Sequence, residues 1–280
     1  MDYYPFKKII TSIADLEEII KQVRNYRGQL EFTAGKKVTE LYRGQGRDCW
    51  KLIPKIARSF TDSENIKKIE KEIVNDFRKE LNKKELTQYV QEGFYPEEFH
   101  SDWLILQQAQ HYELPTRFMD WTGMWEVALC FVTADELDDK YDGQFWIYLV
   151  PDENWVSDNG DNQYLGKDPF EYDRTIFLNS ATLGSSDHLI KIAQRRKLRQ
   201  MGRFCVQTHY SVTKPLEEQI QHQPHLHKVI IPSVLKKNIR NELASIGITK
   251  DSLYISEPEH KKAIKKIEAI VSKLIKKYRC

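Results

Sequence analysis

The stretch QQAQHYELPTRFMDWTGMWEVALCF, at residues 107–131, contains the features around which the predicted fold is organised. Apolar side chains at three- and four-residue intervals predict a helix over residues 97–111, and Pro115 prevents its extension. The mostly apolar run at residues 124–137 predicts a second, buried helix. Between the two helices, residues 115–122 are predicted to form a compact loop rich in polar groups.

Two helices and a strand are predicted upstream of this stretch. Residues 12–26 carry apolar side chains at helical spacing after a Ser12–Asp15 capping box, and residues 62–81 predict a solvated helix with one buried stripe. Between them, VTELYRG at residues 38–44 is rich in β-branched and aromatic residues and ends in glycine, which is typical of a short strand. Arg43 therefore lies near a strand end.

Downstream, strands again alternate with helices. A buried strand, a basic helix and two more strands are predicted at residues 145–150, 187–199, 204–210 and 227–232. Two further helices are predicted from residues 233 and 259, whereas residues 151–169 are predicted to form a long surface loop. These elements indicate an α+β protein with a single mixed sheet flanked by several helices. We expect an N-terminal helical segment at 1–37, one domain at 38–250, and a C-terminal helix at 251–280 that packs on it.

Composition narrows the classes of function. The chain of 280 residues has 43 Lys and Arg against 41 Asp and Glu, so its formal charge of +2 implies no global field for nucleic acid or membranes. The four cysteines are far apart in sequence, which indicates a reducing compartment, and no long apolar run or secretion signal is present. We expect a cytoplasmic protein without a membrane partner. The oligomeric state cannot be read from the sequence.

The densest group of chemically useful side chains lies between the two central helices. Gln107, Gln110 and His111 share one helix face, and because an unperturbed imidazole titrates near neutrality, His111 could act as a general base. Thr116 and Arg117 follow in the predicted loop, where Arg117 could bind an anion. The alternative is that these polar groups form an internal hydrogen-bond network.

Asp120 and Trp121 complete this candidate site. Trp121 could stack on a base while Asp120 contacts a sugar or activates an acceptor. The alternative is a structural ion pair between Asp120 and Arg117, with Trp121 in the core. Arg43 is likewise open to a binding role or a structural one, in which it bonds loop carbonyls or pairs with a nearby carboxylate. Gly44 beside it would allow a ligand or another chain segment to approach closely.

Three segments together carry a resemblance to a known family. They are Tyr42-Arg43-Gly44, the stretch at residues 107–131, and RKLRQMGRF at residues 196–204. In type, order and separation they resemble the FRG domain of bacterial and phage-associated proteins. One departure bears on the backbone, because Glu113 stands where the family usually has a glycine, and a positive φ there would cost a glutamate energy.

A second resemblance concerns activity. Tyr-Arg-Gly at a strand end is similar to the first motif of the arginine-serine-glutamate class of ADP-ribosyltransferases, which implies an ADP-ribosyltransferase-like fold with Arg43 holding the phosphates of NAD. In this interpretation Arg43, His111 and Asp120 are catalytic. The residues that would bind NAD are Arg43, Gly44, Gln110, Thr116, Arg117, Trp121 and Gln200.

The resemblance implies a bacterial or phage-linked effector, such as a toxin or an antiviral defence protein. It would transfer ADP-ribose from NAD to a protein or nucleic-acid acceptor, or hydrolyse NAD. No Ser-Thr-Ser strand and no Glu-x-Glu pair accompanies the first motif, which favours the alternative of a non-catalytic module that senses a nucleotide, nucleic acid or phage protein. No metal is expected, because the close spacing of His222, His225 and His227 lacks a recognised ligand pattern.

Overall fold

The fold is given by a computed structural model that describes residues 9–81, 102–156, 168–171, 174–179, 201–253 and 261–278. The side chains of Leu104, Gln108, His111 and residues 261–264 also lie outside the description. The described α-helices are α1 Ile13–Ala34, α2 Lys55–Ser59, α3 Ser63–Leu81, α4 Asp102–His111, α5 Trp125–Thr133, α6 Lys236–Ser245, α7 Lys250–Leu253 and α8 Lys261–Tyr278. The described strands are β1 Val38–Gln45, β2 Phe118–Thr122, β3 Gly143–Pro151, β4 Trp155–Val156, β5 Ile176–Asn179, β6 Gly202–Val206 and β7 Leu226–Ile231.

These strands form one sheet with the order β4-β5-β6-β2-β1-β3-β7. Neighbouring strands are antiparallel except β4 and β5, which are parallel. The prediction of an α+β fold with a single mixed sheet is therefore confirmed. Short 3-10 turns join the larger elements at Glu136–Asp138, Asp152–Asn154, Pro169–Glu171, Leu216–Glu218, Gln223–His225 and Ser233–Leu235.

The two faces of the sheet are covered differently. On the helical face, α1, α5 and α6 pack on β1, β3 and β7, and α3, α4 and α8 pack on β2, β5 and β6. On the opposite face, which we call the loop face, Met119, Trp121 and Tyr148 form a third core cluster with Leu52 and Leu216, which lie outside the sheet and the α-helices. Because side chains alternate along a strand, successive residues of each strand belong to different faces.

The first helix is longer than predicted. Its start agrees with the sequence, since the main-chain N–H of Asp15 donates to Ser12 Oγ at 3.2 Å. It continues through Gly28 to Ala34, however, and ends at Gly35 with φ of 62°. The glycine is tolerated inside the helix because neighbouring apolar side chains such as Leu30 pack on the core.

The most consequential departure is that residues predicted as a loop form β2, a central strand. Phe118–Thr122 pairs with β6 along its whole length and with β1 at one position. Aspartate is depleted in strands, and Asp120 in the middle of this segment therefore argued against a strand. The strand forms because Phe118 and Met119 bury their side chains on opposite faces of the sheet.

The C-terminal helix α8 packs against α3. Ile267, Val271 and Leu274 enter the same core cluster as the apolar side chains of α3. At the end of α8, Lys277 Nζ and the Tyr278 hydroxyl donate to Asp76 at 2.5 and 2.8 Å. The predicted basic helix at residues 187–199 lies outside the described residues, as does most of the predicted loop at 151–169.

Candidate functional site at the junction of β1 and β2

Arg43 lies where β1 and β2 meet. Within the described strands, their pairing is limited to Tyr42 opposite Thr122. Next to this pair, the half-buried guanidinium of Arg43 donates from Nη1 to the main-chain carbonyl of Asp120. Arg43 also pairs with Trp146 of β3, which places its side chain on the loop face. The arginine thus contacts the backbone of the predicted acid.

The side chain of Asp120 is held on the other side of the sheet. Its Oδ2 accepts from Gln110 Nε2 at 3.1 Å, and Gln110 Oε1 accepts from Thr116 Oγ1 at 2.7 Å. The main-chain N–H of Phe118 in turn donates to Thr116 Oγ1 at 3.3 Å. This chain of bonds aligns an exposed carboxylate at the end of α4. Three predicted site residues, Gln110, Thr116 and Asp120, are therefore brought together.

The guanidinium of Arg43 and the carboxylate of Asp120 thus face opposite sides of the sheet. They are connected through the Asp120 residue itself, whose carbonyl accepts from Arg43 and whose carboxylate accepts from Gln110. A ligand that contacts both groups has to span the β1–β2 junction.

The need for a glycine at position 44 has a structural explanation that does not involve a ligand. A Cβ built on Gly44 would lie 1.8 Å from the main-chain oxygen of Ala128 and 2.9 Å from Val132 Cγ2. Both residues belong to α5, so of the two alternatives, a ligand or another chain segment, it is this helix that approaches Gly44 closely. The assignment of Gly44 to NAD binding is therefore corrected: the glycine permits close packing of α5 on β1.

Trp121 is also placed differently from the expectation. Its side chain is only 3% exposed and packs on the loop face, with ring centroids 5.8 Å from Tyr148 and 6.5 Å from Phe177. Because it neighbours Asp120 in a strand, the two side chains point to opposite faces. Trp121 cannot offer an open ring for stacking a base beside the Asp120 carboxylate.

Arg117 is the clearest correction among the predicted ligand-binding residues. Its guanidinium is fully buried, and Nε donates to Glu70 Oε2 at 2.5 Å. Its Nη1 and Nη2 donate to the carbonyls of Gln207 and Pro169 at 2.9 and 2.6 Å. All three nitrogen groups therefore bind internal acceptors, so Arg117 joins four segments of the fold and does not bind an external anion.

Glu70 and His209 complete this buried network, and neither was predicted. Glu70 also accepts from the main-chain N–H of Arg117 at 2.7 Å, and His209 Nε2 lies 3.1 Å from Glu70 Oε2. Burial raises the pKa of Glu70, but the charge of Arg117 and the hydrogen bonds from His209 and Arg117 outweigh it and hold that pKa below its ordinary value. Burial lowers the pKa of His209 and outweighs its hydrogen bond to Glu70. The network is thus a buried ion pair between Glu70 and Arg117, with His209 bonded to the same carboxylate.

For two predicted site residues, the side chain lies outside the part of the structure that is described. The backbone of His111 ends α4, but its side chain lies outside the described part of the structure, as does the whole of Gln200. Gln107 is described and is buried within α4.

Of the three histidines at residues 222–227, His222 and His225 lie beside Tyr148 on the loop face. His227 lies on the helical face instead, where its ring centroid is 6.5 Å from that of Tyr26. His222 Nδ1 lies 2.7 Å from the Tyr148 hydroxyl, and burial lowers the pKa of His222 to about 4. Within the described residues, no group of three or more His, Cys, Asp or Glu side chains is arranged to hold a metal ion. In the same ranges, no helix combines the length and apolar character needed to span a bilayer.

Fold and site together define an α+β protein whose single sheet carries an arginine and an exposed carboxylate at one strand junction. The family model described as the FRG domain matches residues 39–141, so the chain carries an FRG domain. The matched region runs from β1 past α5 to residue 141 and includes both Arg43 and Asp120, whereas β3, β4, β5, β6 and β7 complete the sheet beyond it. No curated protein and no solved structure matches the chain.

Proposed function

We propose that this FRG-domain protein binds NAD through Arg43 and acts on it as an ADP-ribosyltransferase or an NAD hydrolase. The observation that supports this most is the hydrogen bond from the Arg43 guanidinium to the main chain of Asp120. It brings a phosphate-binding group within one residue of an exposed, aligned carboxylate. In the setting we propose, the protein is a cytoplasmic effector of a bacterium or phage, either a toxin or an antiviral defence protein.

Each residue has a definite task in this reaction. Arg43 binds the pyrophosphate with its planar fork, which keeps its charge at any physiological pH. As the bond between nicotinamide and ribose C1′ breaks, its electron pair leaves with nicotinamide, and the carboxylate of Asp120 stabilises the oxocarbenium ion that develops on the ribose. Gln110 orients Asp120. Water or an acceptor group then bonds to C1′ and releases a proton.

The first test is binding of NAD to purified Arg43→Ala, measured by calorimetry. We expect NAD affinity to fall at least about tenfold, because a hydrogen bond to a charged group contributes roughly 1.5–3 kcal/mol. Arg43→Lys keeps the charge but loses the planar fork, so its NAD affinity should lie between those of wild type and Arg43→Ala. Arg27→Ala is the control, since Arg27 pairs with Glu40 at 3.3 Å on the helical side of the sheet. Equal NAD affinity of wild type and Arg43→Ala, or no binding to either, would refute the proposal.

The placement of Arg43 and Asp120 on opposite faces favours a second candidate function. In it the protein only senses a nucleotide, a nucleic acid or a phage protein, and Asp120 serves the fold. Asp120→Asn separates the two, because the amide preserves the shape of the side chain but cannot stabilise a cation. Nicotinamide release that is present in wild type and absent in Asp120→Asn, with NAD affinity retained, indicates catalysis. Binding without release in wild type indicates a sensor.

A further inference from the structure

One row of side chains crosses the loop face at the level of Arg43. Trp146 pairs with Arg43 on one side and with Lys228 on the other. Trp121 pairs with Arg203, and the register of β1 against β2 places Arg43 beside Trp121. From β7 to β6 the row therefore contains Lys228, Trp146, Arg43, Trp121 and Arg203, and we call it the cation–tryptophan row.

The two tryptophans carry hydrogen-bond donors that the fold does not use. Trp121 is 3% exposed and Trp146 is 5% exposed, and the Nε1 atom of each is buried without a hydrogen-bond partner among the described residues. Buried polar groups are normally hydrogen-bonded, and an unused buried donor is unfavourable. The two tryptophans belong to the strands on either side of β1, so their backbones lie about one strand spacing, or roughly 4.8 Å, from that of Arg43. The missing partner is an acceptor.

The cations at the ends of the row point to the charge of that acceptor. Lys228 Nζ lies 5.5 Å from the centre of the Trp146 ring and donates to the main-chain oxygen of Asp48 at 2.8 Å. Arg203 donates to Asn179 Oδ1 at 3.0 Å. Three cations and two neutral N–H donors therefore share one row. An anion with several acceptor oxygens, such as a phosphate group, complements this arrangement.

We propose that the cation–tryptophan row is a diphosphate-binding site. Arg43 holds the centre of the diphosphate, Trp121 and Trp146 donate their indole N–H groups to its oxygens, and Lys228 and Arg203 neutralise its ends. This inference rests on the proposed function for the identity of the natural ligand, the pyrophosphate of NAD. The site chemistry itself applies to any diphosphate. It gives Trp121 a role as a hydrogen-bond donor in place of the stacking role expected from the sequence.

The test uses inorganic pyrophosphate and the indole N–H resonances of ¹⁵N-labelled protein. The chain has six tryptophans, and Trp121→Phe and Trp146→Phe assign the two resonances of interest. We expect pyrophosphate to shift both, and to leave the indole of Trp103, in the core of the helical face, unmoved. Lys228→Met should weaken pyrophosphate binding about tenfold, since a charge-assisted bond is lost. Lys273→Met, at an exposed position of α8, should leave it unchanged.

Three results would overturn the diphosphate site: no shift of either indole at saturating pyrophosphate, equal shifts of all six, or the same shifts with sulfate at the same concentration. The outcome for NAD is separable. Pyrophosphate shifts without NAD binding would support the row and refute NAD as the ligand. NAD binding without shifts of the two indoles would support the proposed function and refute the row.

Discussion

Replacing Glu70 with alanine is expected to lower the free energy of unfolding by about 3–5 kcal/mol, the range found when one partner of a buried ion pair is removed. The Arg117 guanidinium would remain fully buried with its charge uncompensated. His209 and the main-chain N–H of Arg117 would lose their acceptor as well. Because Arg117 also binds the carbonyls of Gln207 and Pro169, the loss should affect several segments. Urea unfolding at pH 7 followed by circular dichroism measures it.

Two variants make this expectation specific. Glu72→Ala removes an exposed carboxylate from the same helix and should change the unfolding free energy by no more than about 0.5 kcal/mol. Glu70→Gln keeps the shape and the acceptor oxygen but removes the charge, so its effect should approach that of alanine if the ion pair dominates. A Glu70→Ala protein as stable as Glu72→Ala would contradict the structural role of the network.

The network of Glu70, Arg117 and His209 also makes the stability of the fold depend on pH. Glu70 has a pKa below its ordinary 4.5 in the folded protein, so its contribution is complete above pH 4.5 and is lost as the pH falls through the folded value. The folded pKa of His209 is below its ordinary 6.5, so stability already declines as the pH falls below 6.5, because the unfolded chain binds this proton first. The stability difference between wild type and Glu70→Gln should therefore shrink below pH 4.5. A difference that stays constant to acid pH would contradict the depressed pKa.

Gly44→Ala is expected to destabilise the fold by at least about 3 kcal/mol, the upper part of the range for overpacked positions. The added methyl would lie 1.8 Å from the main-chain oxygen of Ala128. A helix backbone cannot rotate away as a side chain can, so α5 as a whole would have to move off β1. Thermal unfolding and the heteronuclear NMR spectrum would show the loss of stability and the displaced helix.

Gly28→Ala is the matched control for this change. Gly28 lies inside α1, and a Cβ there would meet nothing within 4 Å. Since alanine favours a helix interior over glycine by about 1 kcal/mol, this variant should be more stable than wild type. If Gly44→Ala also proved neutral or stabilising, the inference that α5 packs closely on β1 at Gly44 would be contradicted. The glycine of the Tyr-Arg-Gly signature would then need the ligand-based explanation.

Much of the fold could be predicted because the spacing of apolar residues along the chain indicates which faces of a helix or strand are buried. The strand at residues 38–44, the apolar strand β3 and the helix α3 follow patterns that each bury one or both faces. The glycine expected from the family at Glu113 also had structural meaning, since Glu113 adopts a φ of 66°. The strand β2 could not be predicted, because the exposed Asp120 interrupts its short apolar run. The segment becomes a strand only through pairing with its neighbours β1 and β6.

Some contacts within the candidate site are local in sequence. Gln110, Thr116 and Asp120 are joined by hydrogen bonds, and their short separations along the chain made it possible to expect these side chains near one another. The partner of Arg117 could have been suspected, since Glu70 occupies the buried stripe of α3 between Ile66 and Ile73, four and three residues away. The cation–tryptophan row could not be predicted from the sequence, because its members lie on five strands and are brought together only by the register of the sheet.

A crystal structure of the protein soaked with NAD would show whether Arg43 and Asp120 bind one NAD molecule. We expect pyrophosphate oxygens on the Arg43 guanidinium in the cation–tryptophan row. We also expect the ligand to cross the β1–β2 junction, with a ribose against the Asp120 carboxylate. NAD bound away from Arg43, or density on Arg43 with no part of the ligand at Asp120, would contradict this expectation.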